Sequence, residues 1–479
     1  MSLVRRWHAR ALPSFTMTPG LWRVVTALGA LGLTTWLAWN AGDAPEGIIG
    51  LALAAPPTAI LAVWLYRRES RRPGGMPQLA LCGLFLRDAM ALANLAIGLW
   101  YYRGGVDFTT YNELAERVAH QMIAGDFSGV SLLGGISGWL FAYLLAVLYF
   151  LAGPSLVGKA LLSAILGFLG SYLFLSAFRV TFPRAYAHHR FVALVLFGLP
   201  SFIYWTSLMG KESWMTFFLG LVAYGLARAF RDRVGPPLMI AAAGLVGVAI
   251  IRTPVVVVLV VAAGVGLVLL TPKTRAGRVM RPLVLVTLIA VMPLAASKLA
   301  TLALADRYTG ELVAKGVTHL LTKHHQGLAT DFSAGGSTIG VQLTDSSIGS
   351  VIRYLPLGTF TFLFRPMLFE AHNAFALLAA LESSVVLLLV GLHIWSLPRL
   401  LKLALRVPYV TFSILAFGGL TVMLCFESNF GAIVRHRAMV QPFLFVILAV
   451  TAREASRSTA PAPPAGGGQA PARAEILLG

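Results

Sequence analysis

Residues 237–270 read PLMIAAAGLVGVAIIRTPVVVVLVVAAGVGLVLL and carry one charged side chain, Arg252. Basic segments flank this run at 228–233 and 273–281. Basic loops usually stay on the cytoplasmic side of a membrane, so the run must leave that side and return to it. Each arm has about 15 residues and forms about 22 Å of helix, less than the hydrocarbon thickness of about 30 Å. We therefore predict a hairpin of two short helices whose tip holds Arg252 inside the membrane.

The rest of the sequence has the same apolar character. Hydrophobic residues make up 57% of the 479 residues and charged residues only 12%. Runs long enough, or nearly long enough, to cross a membrane as helices lie near 21–39, 48–66, 79–102, 134–152, 156–178, 191–207, 213–230, 237–251, 254–270, 282–304, 374–395, 407–427 and 432–451. This pattern predicts an all-α polytopic membrane protein.

The formal net charge of +19 follows from the position of the basic residues. They are concentrated in short loops next to apolar runs, which explains the charge without nucleic-acid binding. The loops expected to be cytoplasmic are 67–72, 179–190, 228–233, 273–281 and 399–406. Counting apolar runs places loop 179–190 outside, whereas its cations favour the inside. A single net crossing by residues 134–178, one part being re-entrant or interfacial, removes the conflict and gives about 12 transmembrane helices with both termini inside.

The domain organisation follows from these assignments. Residues 1–20 form a cytoplasmic N-terminal segment without a convincing signal-peptide cleavage site. Residues 21–452 form one helical transmembrane domain with two larger extracytoplasmic loops, about 103–133 and 305–373. Residues 453–479, rich in Ala, Pro and Gly, read as a disordered cytoplasmic tail.

Polar groups are then expected to concentrate on the outer face, and the hairpin tip is the first of them. A short, Pro-interrupted hairpin that carries a cation such as Arg252 into the membrane is typical of a binding site. The alternative is an arginine that extends to the lipid headgroups.

Arg435, His436 and Arg437 lie near the outer end of the last apolar run. Charged groups within a membrane helix usually face a cavity or a partner. The two arginines are two positions apart and point to different faces, so one can meet a phosphate and the other a structural carboxylate such as Glu427. The alternative is that both anchor the helix at the interface.

The outer loop 305–373 ends in FRPMLFEAHN. Arg365 can bind a phosphate through two N–H groups, and Glu370 or His372 can accept a proton from a hydroxyl. Arg353 is a further candidate cation in this loop. The alternative for Arg365 and Glu370 is a surface salt bridge.

Two further sites carry charge on the same face. Asp107 can act as a base or metal ligand, or it can cap the amphipathic segment 109–123. Lys211 and Glu212 can bind substrate or pair with each other. The sequence has no Walker loop, dinucleotide fingerprint or zinc or haem spacing, so no cofactor or metal site is predicted.

Taken in chain order, these motifs resemble those of bacterial oligosaccharide repeat-unit polymerases, the Wzy-type and EpsG-like proteins, which are distantly similar to GT-C glycosyltransferases. The resemblance spans residues 200–440. It rests on WTS at 205–207, GKE at 210–212, RTP at 252–254, LPLG at 355–358, FRP at 364–366, and NFGAIVRHR at 429–437.

The resemblance implies an enzyme of the bacterial inner membrane that transfers a growing glycan from a polyprenyl diphosphate to a hydroxyl of the next lipid-linked repeat unit, for exopolysaccharide, capsule or O-antigen. Its partners would be polyprenyl-diphosphate-linked oligosaccharide, membrane lipid, a flippase and a chain-length regulator. The cations expected to bind the diphosphate are Arg252, Arg365, and Arg435 or Arg437. The candidates for the base are, in order, Glu370, Asp107 and His372.

Three alternatives stay open. A GT-C-type transferase that uses a polyprenyl-phosphate sugar would depend on Asp107. A ligase for lipid-linked glycans would need the same groups as a polymerase. A transporter or flippase would carry charged residues in both halves of the membrane, and the expected concentration of polar groups on the outer face argues against it.

Overall fold

A computed structural model of the protein describes residues 44–101, 103, 107–126, 136–231, 235–269, 347–371, 374–427 and 430–451. This part of the chain is helical and contains no β-strand. Several predicted segments lie outside the described residues: the N-terminal segment 1–20, the runs 21–39 and 282–304, the loop residues 305–346, and the tail 453–479.

The described α-helices are numbered in chain order: α1 Ala44–Ser70, α2 Pro77–Ala96, α3 Asp107–Ile123, α4 Ile136–Ala152, α5 Leu156–Thr181, α6 Tyr186–Gly198, α7 Pro200–Thr206, α8 Lys211–Arg231, α9 Gly235–Ile251, α10 Thr253–Val268, α11 Ile348–Phe364, α12 Ala374–His393, α13 Leu397–Ala404, α14 Pro408–Leu424 and α15 Phe430–Thr451. A π-helical turn, Ile97–Tyr101, extends α2.

Six helical spans among the described residues are long and apolar enough to cross a membrane: Glu46–Ser70, Pro77–Trp100, Leu156–Thr181, Lys211–Arg231, Ala376–Ala404 and Phe430–Thr451. Shorter apolar helices accompany them. The described part of the chain is therefore all-α and contains helices long and apolar enough to span a membrane, in agreement with the composition. The number of about 12 crossings stays a prediction.

Prolines set several helix boundaries. Pro77 and Pro408 occupy the first helical turn, where the missing N–H costs no hydrogen bond. Pro200 does the same for α7, and it divides the run 191–207 that was expected to be one helix. Leu199, before the proline, is extended at φ −73° and ψ 116° and separates α6 from α7.

Basic loops meet on one side of the helix bundle, which we call the Arg179 face. Arg179, in the last turn of α5, binds both carboxylate oxygens of Glu69 at the end of α1, each at 2.8 Å. Glu69 also accepts a hydrogen bond from the N–H of Met76, where α2 begins. Arg231, at the end of α8, donates to the Val180 carbonyl. Helices α1, α5 and α8 therefore end on the same side, as their basic loops predict.

The opposite side, which we call the Asp107 face, carries the amphipathic helix α3. The Tyr111 ring packs against Phe141 of α4 with centroids 5.5 Å apart. Further along α3, the His120 ring packs against Tyr149 of α4, also with centroids 5.5 Å apart. Helices α3 and α4 therefore run side by side in the same direction.

Helix α4 stays at the Asp107 face. The Phe141 ring lies 5.7 Å from Nζ of Lys211, where α8 begins, and the Tyr149 ring lies 5.3 Å from Nζ of Lys159, where α5 begins. Since α5 and α8 both end on the Arg179 face, their beginnings mark the other side. Both halves of α4 thus contact the same side of the bundle, which agrees with the single net crossing predicted for residues 134–178, made by α5.

The predicted hairpin is formed by α9 and α10, with Arg252 between them. Helix α9 follows α8 from the Arg179 face. Helix α10 returns to that face, because a Cβ on its Gly266 would lie 2.9 Å from the ring of Phe230 near the end of α8. Each arm is about 25 Å long, so the tip lies within the bundle on the Asp107 side.

The last part of the outer loop expected over 305–373 is helical, because α11 occupies Ile348–Phe364. Ser347 caps the helix by accepting a hydrogen bond from the N–H of Ser350. Tyr354 stacks on Phe426 at 5.6 Å, and Phe362 is fully buried. The apolar side of this short segment is covered by α14 and α15, a tertiary contact that a polar loop signal did not reveal.

Glycines allow α5 and α8 to touch. A Cβ on Gly220 of α8 would lie 2.5 Å from the carbonyl oxygen of Gly170, and a Cβ on Gly170 would lie 2.3 Å from that of Thr216. Close backbone approach of this kind is a common way to pack membrane helices. It fixes the level at which α8 presents its first turn to the Asp107 face.

Buried charge is not confined to the Asp107 face, contrary to expectation. The buried Glu69 pairs with the partly buried Arg179 on the Arg179 face. Arg87, in the middle of α2, is fully buried and donates hydrogen bonds to the hydroxyls of Thr206 and Ser171. Apolar runs concealed these groups because their partners come from distant helices.

Candidate functional site

Arg435 lies at the centre of a cluster of charged side chains on the Asp107 face. The first turns of α3 and α8 meet the second turn of α15 there. Arg435 forms an ion pair with Asp107 through Nη1, and its Nε lies 2.6 Å from Oε1 of Glu212. The Asp107 side chain is 62% exposed and that of Glu212 is 2% exposed. Arg435 therefore connects a carboxylate that is open to solvent with one that is buried.

Arg252 is the second arginine of this charge cluster. Its Nη2 lies 3.7 Å from Oε1 of Glu212 and 2.5 Å from Nε2 of His436. Its Nε is buried and has no hydrogen-bond partner among the described residues. A buried donor without an acceptor is unfavourable, so this group is suited to an additional acceptor.

The contact between Arg252 and His436 fixes the histidine tautomer. A guanidinium can only donate, so Nε2 of His436 accepts and the ring is neutral with its proton on Nδ1. Nδ1 lies 2.8 Å from Oε1 of Glu427. Glu427, the structural carboxylate considered for Arg435 or Arg437, therefore has His436 as a described partner.

The formal charges of the cluster balance. Its carboxylates are Asp107, Glu212 and Glu427, and its cations are Lys211, Arg252 and Arg435. The alternative in which Lys211 pairs only with Glu212 is wrong, because Glu212 lies against Arg435 and Arg252. An anionic ligand that takes the place of Asp107 or Glu212 on Arg435 would therefore displace a carboxylate from that arginine.

Two aromatic side chains border the cluster. Tyr111 lies four residues after Asp107, hence on the same side of α3. Burial raises the pKa of its hydroxyl and the nearby Arg435 lowers it, with a net rise above the ordinary value. Tyr111 is therefore a neutral donor. The Trp205 ring centroid lies 6.0 Å from the Arg435 guanidinium carbon, at the limit of a cation–π contact.

Arg365 and Glu370 form the salt bridge that the sequence offered as the alternative to a phosphate site. Arg365 Nε lies 2.8 and 3.0 Å from the two oxygens of Glu370. Glu370 also accepts from the Met367 N–H, at 2.8 Å. The Arg365 guanidinium carbon lies 5.2 Å from the centroid of the Phe430 ring at the start of α15. The Arg365–Glu370 pair thus lies beside α15, the helix that carries Arg435. Both oxygens of the Glu370 carboxylate are bound by Arg365.

Arg437 points away from the cluster, as its spacing from Arg435 predicts. It is 3% exposed and donates to the carbonyls of Phe362 and Arg365 and to the Ser383 hydroxyl. These contacts hold the end of α11 and the middle of α12 against α15. The geometry supports a structural role for Arg437 rather than contact with a ligand.

Two predicted site residues remain, Arg353 and His372. Arg353 is exposed on α11, and no contact with the cluster is observed for it. His372 lies outside the described residues. Within the described ranges, no three His, Cys, Asp or Glu side chains are arranged to hold a metal ion.

Two residues of the cluster were missed by sequence reasoning. His436 stands between the two arginines of an RHR triplet and was not considered as a partner for them. Tyr111 lies one helical turn after Asp107, and that spacing was a usable signal. No protein-family model matches the chain, and neither a curated protein nor a solved structure matches it.

Proposed function

We propose that the protein is a polysaccharide polymerase of the bacterial inner membrane, which joins polyprenyl-diphosphate-linked oligosaccharide repeat units on the Asp107 face. The observation that carries the proposal is the sharing of Arg435 between the exposed Asp107 and the buried Glu212. An exposed carboxylate held by an arginine at the membrane surface supplies both needs of this reaction: a base and a cation for a phosphate group.

In the proposed reaction, the hydroxyl oxygen of the acceptor sugar forms a bond to the anomeric carbon of the donor glycan. The bond from that carbon to the diphosphate oxygen breaks, and the diphosphate leaves with the bonding electrons. The hydroxyl proton passes to a carboxylate. Arginines beside the diphosphate stabilise the negative charge that develops on it.

Binding and base activation are coupled in this proposal. Because the cluster is neutral, the diphosphate binds Arg435 by taking the place of Asp107. The freed Asp107 carboxylate can then accept the proton. Glu212 stays buried beside Arg252 and Arg435 and keeps both guanidinium groups aimed at the leaving group, while the spare N–H of Arg252 supplies another donor.

Asp107 is the preferred base, ahead of Glu370. Both oxygens of Glu370 are engaged by Arg365, and one also accepts from a backbone N–H. Such contacts favour the charged carboxylate and make it a poor proton acceptor. Asp107 has a single described cation partner and an exposed side chain.

A transporter of lipid-linked glycans is the second candidate, and one observation favours it. Arg87 in mid-membrane, and Glu69 with Arg179 on the other face, place buried charge in both halves of the bundle. A GT-C-type transferase and a lipid-linked glycan ligase would need the same groups as the polymerase. The experiment must therefore distinguish four functions: polymerase, monosaccharide transferase, ligase and transporter.

The test uses a strain that lacks the gene and is complemented with wild type, Asp107→Asn, Arg252→Gln or Arg435→Gln. Arg399→Gln, an exposed arginine on α13, is the matched control. Lipid-linked and surface glycans are separated by chain length on gels. A polymerase predicts loss of long chains and accumulation of single repeat units on the outer face with the three site variants, and full-length chains with the control.

Other outcomes would overturn the proposal. An altered mass of the repeat unit would identify a monosaccharide transferase, and long lipid-linked chains that never reach their final acceptor would identify a ligase. Repeat units confined to the cytoplasmic leaflet would identify a transporter. Unchanged chain length in all three variants would remove the charge cluster from the reaction.

A further inference from the structure

Five arginines surround a cavity of about 320 Å³ on the Arg179 face. They come from the ends of α1, α5 and α8, and they are Arg68, Arg72, Arg179, Arg228 and Arg231. We call it the arginine cavity. It lies on the opposite side of the bundle from Asp107, so it has no part in the reaction proposed above.

The charged side chains described as lining the arginine cavity are predominantly arginines. No carboxylate lines it within the described part of the chain. Glu69 lies next to it, 2.8 Å from Arg179 and 3.8 Å from Arg72. Glu69 is the carboxylate described beside the cavity; Asp232, which follows Arg231, lies outside the described residues. Like charges that line one cavity repel each other, and a bound anion would relieve that repulsion.

Two residues that line the cavity carry buried donors without a hydrogen-bond partner among the described residues. Ser176 lines the cavity, is 4% exposed, and its hydroxyl has no hydrogen-bond partner among the described residues. Nε of Arg68 is likewise buried without a hydrogen-bond partner in the described chain. A buried hydroxyl next to a row of cations is suited to an anionic oxygen that accepts from both.

We propose that the arginine cavity binds a phosphate group. Guanidinium groups match phosphate oxygens in pairs, which favours phosphate over a simple halide. The volume exceeds that of inorganic phosphate and is in the range of small-ligand sites, so the group bears a substituent. The cavity lies where helices end at the predicted cytoplasmic surface, at the level of lipid headgroups, so the substituent is either a lipid or a small soluble molecule.

The test uses the full-length protein purified in a neutral detergent, with thermal unfolding followed by tryptophan fluorescence. Inorganic phosphate is titrated against chloride at equal ionic strength, and in a second arm phosphatidylglycerol is titrated against phosphatidylcholine. The variants are Arg228→Gln with Arg231→Gln, and separately Ser176→Ala. The control is Arg399→Gln with Arg406→Gln, which removes the same charge from exposed positions outside the cavity.

The proposal predicts a rise of the unfolding midpoint that is specific to one phosphate probe, with about tenfold weaker binding in the double cavity variant. Ser176→Ala weakens binding without lowering the midpoint of the unliganded protein, because its hydroxyl has no described partner to lose. A response to inorganic phosphate identifies a soluble ligand, and a response to phosphatidylglycerol alone identifies a lipid. No response to either probe, or equal weakening in the control, overturns the proposal.

Discussion

Asp107 and Glu212 both form ion pairs with Arg435, and a matched substitution can be made at each of them. Asp107→Asn and Glu212→Gln each replace a carboxylate by an amide of nearly the same shape, and each removes a partner of Arg435. The two carboxylates differ in burial, 62% against 2% exposed. If the cluster is built as described, the two variants should separate function from stability.

The magnitudes follow from the geometry. At an effective dielectric constant of about 20, the attraction of Glu212 is about 6 kcal/mol to Arg435 at 2.6 Å and about 4 kcal/mol to Arg252 at 3.7 Å. Much of this offsets the cost of taking Glu212 out of water. Breaking such a buried pair by removing one partner costs about 3–5 kcal/mol of unfolding free energy. Asp107→Asn should cost at most about 1 kcal/mol, as for an exposed pair.

The assay is equilibrium unfolding of each variant in mixed micelles with an increasing fraction of denaturing detergent, alongside the chain-length gel. We expect Glu212→Gln to lose both stability and polymer, and Asp107→Asn to lose polymer at nearly wild-type stability. Equal destabilisation by the two substitutions would refute the assignment of Asp107 as the exchangeable partner. A stable Glu212→Gln protein would refute the buried pair.

Three further predictions concern the scaffold. Gly220→Ala should cost about 1–3 kcal/mol of unfolding free energy, because its Cβ would lie 2.5 Å from the Gly170 carbonyl oxygen. Gly418→Ala is the control: its Cβ meets open space, so the substitution should be neutral or stabilising. Thermal unfolding of the two variants compares their stabilities. Arg437→Gln should cost at least about 3 kcal/mol through lost hydrogen bonds, and wild-type stability would contradict its structural role. Burial, with Arg179 nearby, lowers the pKa of His189 from 6.5 to about 4. Neutral His189 therefore contributes its full share to the unfolding free energy above pH 6.5, and this contribution is lost as the pH falls toward 4. At pH 5 the loss is about 2 kcal/mol, and His189→Gln should reduce the difference in unfolding free energy between pH 7.5 and pH 5.

The sequence predicts those parts of the fold that depend on length, polarity and local spacing. The hairpin around Arg252 follows from the short apolar arms and flanking basic loops. The single crossing of residues 134–178 follows from cations that had to remain on one side. The opposite directions of Arg435 and Arg437 follow from helix geometry alone.

What the sequence could not supply is the identity of partners from distant helices. Glu427 lies against His436, and Glu212 lies against Arg435 and Arg252 and does not pair with Lys211 alone. These choices depend on how α8, the hairpin and α15 pack, which no local pattern encodes. Arg87 was missed for the same reason, because its acceptors lie on α5 and α7.

Helices α3 and α4 lie together against one side of the bundle, and this has a consequence for the surrounding bilayer. Each has 17 residues, so each is about 25 Å long and about 10 Å wide. If they lie near the membrane plane, the pair displaces about 500 Å² of lipid from one leaflet and none from the other. The pair then widens the protein in that leaflet, and the packing of α3 and α4 should respond to curvature and to the lipid composition of that leaflet.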